Sequence, residues 1–198
     1  MQDRGIAIDD VFTKFQFCFS IGSDFFMEIA KFRAARMIWH NITRAFGAAD
    51  NPSMLIHGRT GIYNKTQIDP WVNMLRVATE TFSGIAGGCD SLHVGPFDEV
   101  MRSPDEFSRR IARNVQTLFK EEAHFDKVAD PAGGSWYVEN ITLELAQNAW
   151  ALFQENHTGP AHHGEEEADA SGAHAEEHAL QVVTSRGEVV DIPLGVVV

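Results

Sequence analysis

FQFCFSIGSDFFMEIAKFRAARMIW, Phe15 to Trp39, decides the fold. Its first six residues, FQFCFS, are short and aromatic-rich, as a buried strand is. Ile21-Gly22-Ser23-Asp24 breaks that pattern, and Asp24 is placed to cap a helix predicted from Phe25 to about Phe46. Phe26, Ile29, Ala30, Met37 and Trp39 give that helix apolar positions, with Arg33 among them. Gly47 suits its end.

The same strand, loop and helix recur downstream. Ser53 to His57 (SMLIH) is predicted as a second short strand, followed by a loop from Gly58 to Asp69. Pro70 opens a helix that runs to about Gly84, where a missing first-turn N–H costs nothing. Ser91 to Val94 is a third strand, and Ser103-Pro104-Asp105 caps a helix to about Glu122. Asp130 to Ser135 is a turn, and Trp136 to Glu139 leads into a last helix ending near Glu155. Short buried strands alternating with helices imply an α/β fold of parallel units with right-handed crossovers. A spacing of about 35 to 40 residues suits a (β/α)8 TIM barrel, of which roughly half is expected here. Half a barrel leaves two open sheet edges, so a partner, a longer parent chain or self-association is expected.

Charge separates the chain into parts. Of its 198 residues, 1–155 carry twenty acids and fifteen bases, whereas 156–198 carry eight acids and one Arg. Residues 1–155 are read as the partial barrel. Residues 156–179, with His162-His163 and His174 among acids, Ala, Gly and Ser, read as a disordered acidic His-rich segment. Residues 180–198 are apolar enough for a small hairpin or a strand docked on the core. No spacing among the tail histidines fixes a metal geometry, so no metal site is assigned. Cys18 and Cys89 sit in apolar surroundings and are read as free thiols of a reducing compartment. The polar N-terminus and the lack of a 20-residue apolar run lead to the expectation of a cytoplasmic protein without membrane spans. Nothing resembles a basic groove for nucleic acid.

Chemistry in a β/α barrel lies in loops after the strands. That rule selects Lys14 to Asp24, His57-Gly58-Arg59-Thr60, and the run from His93 to Glu99. A structural role is the competing reading for each histidine. Arg109, Arg110 and Arg113 recur at helical spacing and read as a solvated face.

Four blocks in order, FSIGSDFFMEIAKFRAARMIW (19–39), NKTQIDPWVNMLR (64–76), DEFSRRIARNVQ (105–116) and DPAGGSWYVE (130–139), resemble the later part of the substrate barrel of the methylmalonyl-CoA mutase family. The resemblance covers about residues 11 to 155. It implies adenosylcobalamin as cofactor, a CoA thioester as substrate, and radical carbon-skeleton isomerisation in which the cofactor supplies the hard chemistry. Lys14, Gln16, Asp90 and Ser91 fall where family members contact CoA. His57, Arg59, Glu99 and Val100 fall where they meet the cofactor. Gln16, Arg59 and Asp90 depart from the residues usual in catalytic members. No Asp-x-His-x-x-Gly cobalt-ligating motif is present, and the substrate-fixing Tyr, Arg and His belong to the half of the barrel absent here. No catalytic residue is assigned, and the expectation is a chain not competent alone. It would be part of a mutase whose partner supplies the remaining barrel and a cobalamin domain. The alternatives are a non-catalytic small-subunit-like partner that stabilises a catalytic chain, and a truncated remnant.

Overall fold

The structure, a computed structural model, describes residues 5–48, 52–158, 178–183 and 189–194, with side chains up to Glu155. A short helix, α1 (Ile8–Phe12), leads into β1 (Gln16–Ile21) and α2 (Phe25–Ala45). Next come β2 (Leu55–Thr60), α3 (Asn73–Ala86), β3 (Ser91–His93), α4 (Glu106–Glu121) and α5 (Trp136–Thr158). β4 (His178–Val183) and β5 (Val189–Leu194) complete the chain. One sheet has the order β3-β2-β1-β4-β5. β1, β2 and β3 are parallel, with Cys18 opposite His57 and His57 opposite Ser91. The hairpin β4–β5 is antiparallel and attaches to β1 through Gln16 to Cys18 only.

The alternation of β1 dictates which face is covered. Phe17, Phe19 and Ile21 are buried against Phe32 and Trp39 of α2. The rings interlock edge to face: Phe17 lies 4.9 Å from Trp39, and Phe19 lies 5.5 Å from Phe32. Offset and edge contacts of this kind add to the area term. Ile56 continues the layer on β2. Gly58 follows because a Cβ there would stand 3.0 Å from Ile21 Cδ1 and 3.1 Å from Leu92 Cδ1. Leu92 carries the layer onto α3 and α4 through Val77, Val94 and Ala112.

The block DPAGGSWYVE works as a clamp. Arg33 of α2 bonds Asp130 (2.5 Å) and Glu139 (2.6 Å), which joins the start of α5 to α2. Gly134 sits at φ +79, where a side chain would be strained, and its N–H donates to Glu139 at 3.1 Å. That N–H first, and Arg33 second, hold the Glu139 carboxyl below the usual carboxylate range.

Several boundaries differ from the expectation. β2 runs from Leu55 to Thr60, so Gly58 and Arg59 lie in the strand and not in a loop. A glycine reads as a breaker, but here it is demanded by the close approach of Ile21. Pro70 opens a 3-10 turn, Pro70–Val72, and the α-helix begins at Asn73. α5 starts at Trp136 and continues past Glu155 to Thr158. Asp98-Glu99 forms turns and not a helix start. Of the segment 156–179, residues 159–177 lie outside the described residues.

Candidate functional site

The sheet has a second face with opposite character. Gln16, Cys18 and Ser20, then Leu55, His57 and Arg59, then Ser91 and His93 alternate with the buried layer. The register aligns them in rows across the strands: Cys18, His57, Ser91, and one step up Ser20, Arg59, His93. None of these residues is fully buried, and the Arg59 side chain is 55% exposed. In a sheet whose other face is packed under helices, an open polar face is a surface for a ligand or for another protein.

Two of the predicted pairs meet there. His57 Nδ1 lies 2.8 Å from Ser91 Oγ, which fixes the imidazole over the lower row. Arg59 reaches Glu99 at 3.5 Å, across the ends of the strands. Glu99 Oε1 is buried without a hydrogen-bond partner among the described residues. The Val100 carbonyl accepts from Gln67 at 3.1 Å, so the two strand-end loops are tied together. Thr60 adds a second tie, its hydroxyl accepting from the Gly95 N–H at 2.8 Å.

The other predicted residues stand elsewhere. Lys14 is exposed just before β1, and Gln16 is exposed at its first position. Asp90 precedes β3, and its carboxylate is engaged by the protein. It accepts from the Ile56 N–H at 2.8 Å and pairs with Arg36 at 3.1 Å. Thus His57 and Ser91, and Arg59 and Glu99, form two neighbouring pairs, while Asp90 serves the strand beside it.

A buried polar knot beneath the loop after β2 was not foreseen. Lys65 Nζ pairs with Glu80 at 2.5 Å, with side chains 0% and 1% exposed. Asn64 donates to the same carboxylate at 2.6 Å. Burial pushes the Lys65 ammonium down and the Glu80 carboxyl up, each toward its neutral form. Asn73, fully buried, donates to the carbonyls of Thr66 and Phe97, both at 2.9 Å. The knot holds the loop that carries Ile62 to Asp69 beside Arg59. The signal was present in sequence: Glu80 stands three residues from Val77 and four from Gly84, on the buried stripe of α3.

Neither thiol suits nucleophilic chemistry. Burial raises Cys18, and burial with the neighbouring Asp90 pushes Cys89 up to about 11. Among the described residues, no three His, Cys, Asp or Glu side chains gather as a metal site. No described helix is long and apolar enough to cross a membrane. Two open grooves flank the free edge of β3. One, about 480 Å³, is lined by Ile85, Cys89, Ser91 and Phe119. The other, about 710 Å³, is lined by His93, Pro96, Arg109 and Arg113.

Comparison with known proteins gives this architecture a family. A family profile described as methylmalonyl-CoA mutase matches residues 1–165. A methylmalonyl-CoA mutase small subunit from Porphyromonas gingivalis is 46% identical over 156 residues, covering 77% of this chain and 25% of that protein. A small subunit from Streptomyces virginiae is 43% identical, covering 78% of this chain and 25% of the relative. A methylmalonyl-CoA mutase from Cereibacter sphaeroides is 44% identical over 154 residues, covering 77% and 22%. The chain spans about a quarter of the length of these relatives. By this match over most of its length, the chain belongs to the methylmalonyl-CoA mutase family.

Proposed function

We propose that this chain forms one wall of a β/α barrel that binds a CoA thioester in an adenosylcobalamin-dependent acyl-CoA mutase. The carrying observation is the open polar face of a parallel sheet whose other face is fully packed. In a closed barrel that face looks inward, and a ligand that crosses the barrel would run along it. Ser91 and His57 would hydrogen-bond the ligand at the lower row. Lys14 and Gln16 lie toward the strand starts, where a phosphate-bearing tail would be met by a cation. Asp90 acts through Ile56 and Arg36, and positions β3 for Ser91.

The upper row suits the cofactor end. Glu99 Oε1, buried and without a partner, is a polar atom available to a group placed above the strands. Arg59, His57, Glu99 and Val100 would flank that group. Bound adenosylcobalamin would supply a hydrogen-abstracting radical, while these residues orient it and exclude water. The chain carries no cobalt-ligating motif, so that ligand would come from a partner together with the rest of the barrel.

A specific observation favours a second reading, a non-catalytic subunit that supports a catalytic chain. Arg59 already reaches Glu99 across the strand ends, where a bulky cofactor would need space. Two relatives that match this chain are named small subunits.

Light scattering after size exclusion, with adenosylcobalamin and a CoA ester in parallel samples, separates the two. Retention of the CoA ester, lost in Ser91→Ala and His57→Ala, supports the wall reading. A folded chain that ignores both ligands overturns it and leaves the supporting subunit.

A further inference from the structure

The two edges of the parallel sheet are treated differently. The β3 edge carries no neighbouring strand among the described residues, whereas the β1 edge carries the hairpin β4–β5. That hairpin pairs with β1 over three positions, Gln16 to Cys18, but with itself over six. Phe19, Ser20 and Ile21 have no strand partner on that side among the described residues. The hairpin is therefore better held to itself than to the sheet. It is antiparallel to β1, while the strands on the other side of β1 are all parallel. Nineteen residues, 159–177, separate it from α5, enough chain to span about 60 Å when extended. Its outer strand, β5, contains Pro193, opposite Ala179, and proline has no N–H to offer a further strand. An outer strand that refuses extension is a device for ending a sheet.

We propose that the hairpin 178–194 is a removable cap on an acceptor edge, occupying in cis the place on β1 that a parallel strand of a partner chain takes on assembly. The proposal rests on the reading that the chain works inside a larger barrel. The partner is defined by its chemistry: an extended segment whose backbone continues the parallel order β3-β2-β1. Capping in cis keeps β1 from pairing with stray strands, and release makes assembly depend on the arriving segment.

The register supplies the test. Cys18 lies directly opposite Gln181. Opposed residues of an antiparallel pair stand about 4.5–5.5 Å apart at Cα, within the range a disulfide bridges. In the full chain carrying Cys89→Ala, Gln181→Cys is oxidised and the Cys18 bridge mapped by mass spectrometry. The probe is a fluorescent synthetic peptide of residues 178–194. The reduced chain is expected to take up the peptide by exchange, and the bridged chain to take it up at least about tenfold less. Gln181→Pro, which removes a ladder N–H from β4, is expected to raise uptake about fivefold. Failure of the bridge to form, or equal uptake by bridged and reduced chains, overturns the cap. A second arm co-expresses each variant with the part of the Porphyromonas gingivalis small subunit that precedes its match. Co-purification that rises with Gln181→Pro supports the partner strand. Peptide exchange without any co-purification removes the assembly reading and leaves the exchangeable edge in place.

Discussion

The two faces of one sheet obey opposite rules. On the covered face, Phe17, Phe19, Ile21 and Ile56 are at most 7% exposed, and substitution acts on folding. On the open face, Gln16, Ser20, His57, Arg59, Ser91 and His93 keep contact with solvent, and substitution acts on what the protein meets. Neighbouring residues along a strand therefore fall into different classes. His57 and Gly58 differ by one position, yet one is free to serve a ligand and the other is fixed by Ile21 and Leu92.

The sharpest break of that contrast is Phe32→Ala beneath the covered face. Phe32 is fully buried against Phe19, and its truncation is expected to cost about 3–5 kcal/mol in urea unfolding. A loss under 1 kcal/mol would show that α2 does not pack as described.

The knot tests whether polar burial follows the same rule. Lys65→Met leaves Glu80 unpaired and should also cost about 3–5 kcal/mol. The double variant Lys65→Met with Glu80→Leu should be more stable than Lys65→Met alone, because an apolar pair needs no partner. A double variant worse than the single one would make the pair a net stabiliser.

Arg33→Met removes charge-assisted bonds to two carboxylates at the outer side of α2. It should cost about 2 kcal/mol, with protease nicking ahead of Trp136 as the local sign.

The clamp also sets a pH limb. Glu139 and Asp105 both titrate below their ordinary values, Glu139 through the Gly134 N–H and Asp105 through the Ser108 N–H. A depressed folded value means the contribution is complete above the ordinary carboxylate range, about pH 4, and is lost as pH falls through the folded values. Glu139→Gln should flatten that acid limb without altering the neutral plateau, read by urea midpoints from pH 7 to 3.

The smallest effect on folding is expected on the open face. His57→Ala and Ser91→Ala should each shift stability by no more than about 0.5 kcal/mol while abolishing CoA-ester retention. A large loss of stability would make the 2.8 Å His57–Ser91 contact a structural bond.

Local chemistry explains which parts were legible in sequence. Asp24 and Asp105 were readable as caps because one side chain and one nearby N–H suffice. Asp24 accepts from Met27 and Asp105 from Ser108, at 3.2 and 2.9 Å. The aromatic alternation of Phe17 and Phe19 announced a strand for the same reason. The extent of β2 was not legible, since Gly58 is explained only by Ile21, thirty-seven positions earlier in the chain. Lys65 and Glu80 were missed because a charged pair in a Gly- and Asn-rich loop and a helix reads as surface until its partners are known. Asp90 was read for its place in a motif, and only tertiary contact shows it turned toward Ile56 and Arg36.

The clamp on Arg33 has a consequence in time. Glu139 lies 106 residues beyond Arg33. At ribosomal speeds of about 5–20 residues per second, the outer side of α2 waits about 5–20 s for its carboxylate to be made. During that interval Ile29, which later packs with Val138, is covered by nothing from α5. The nascent β1–α2 unit is thus a natural client for a chaperone until Trp136 and its neighbours emerge.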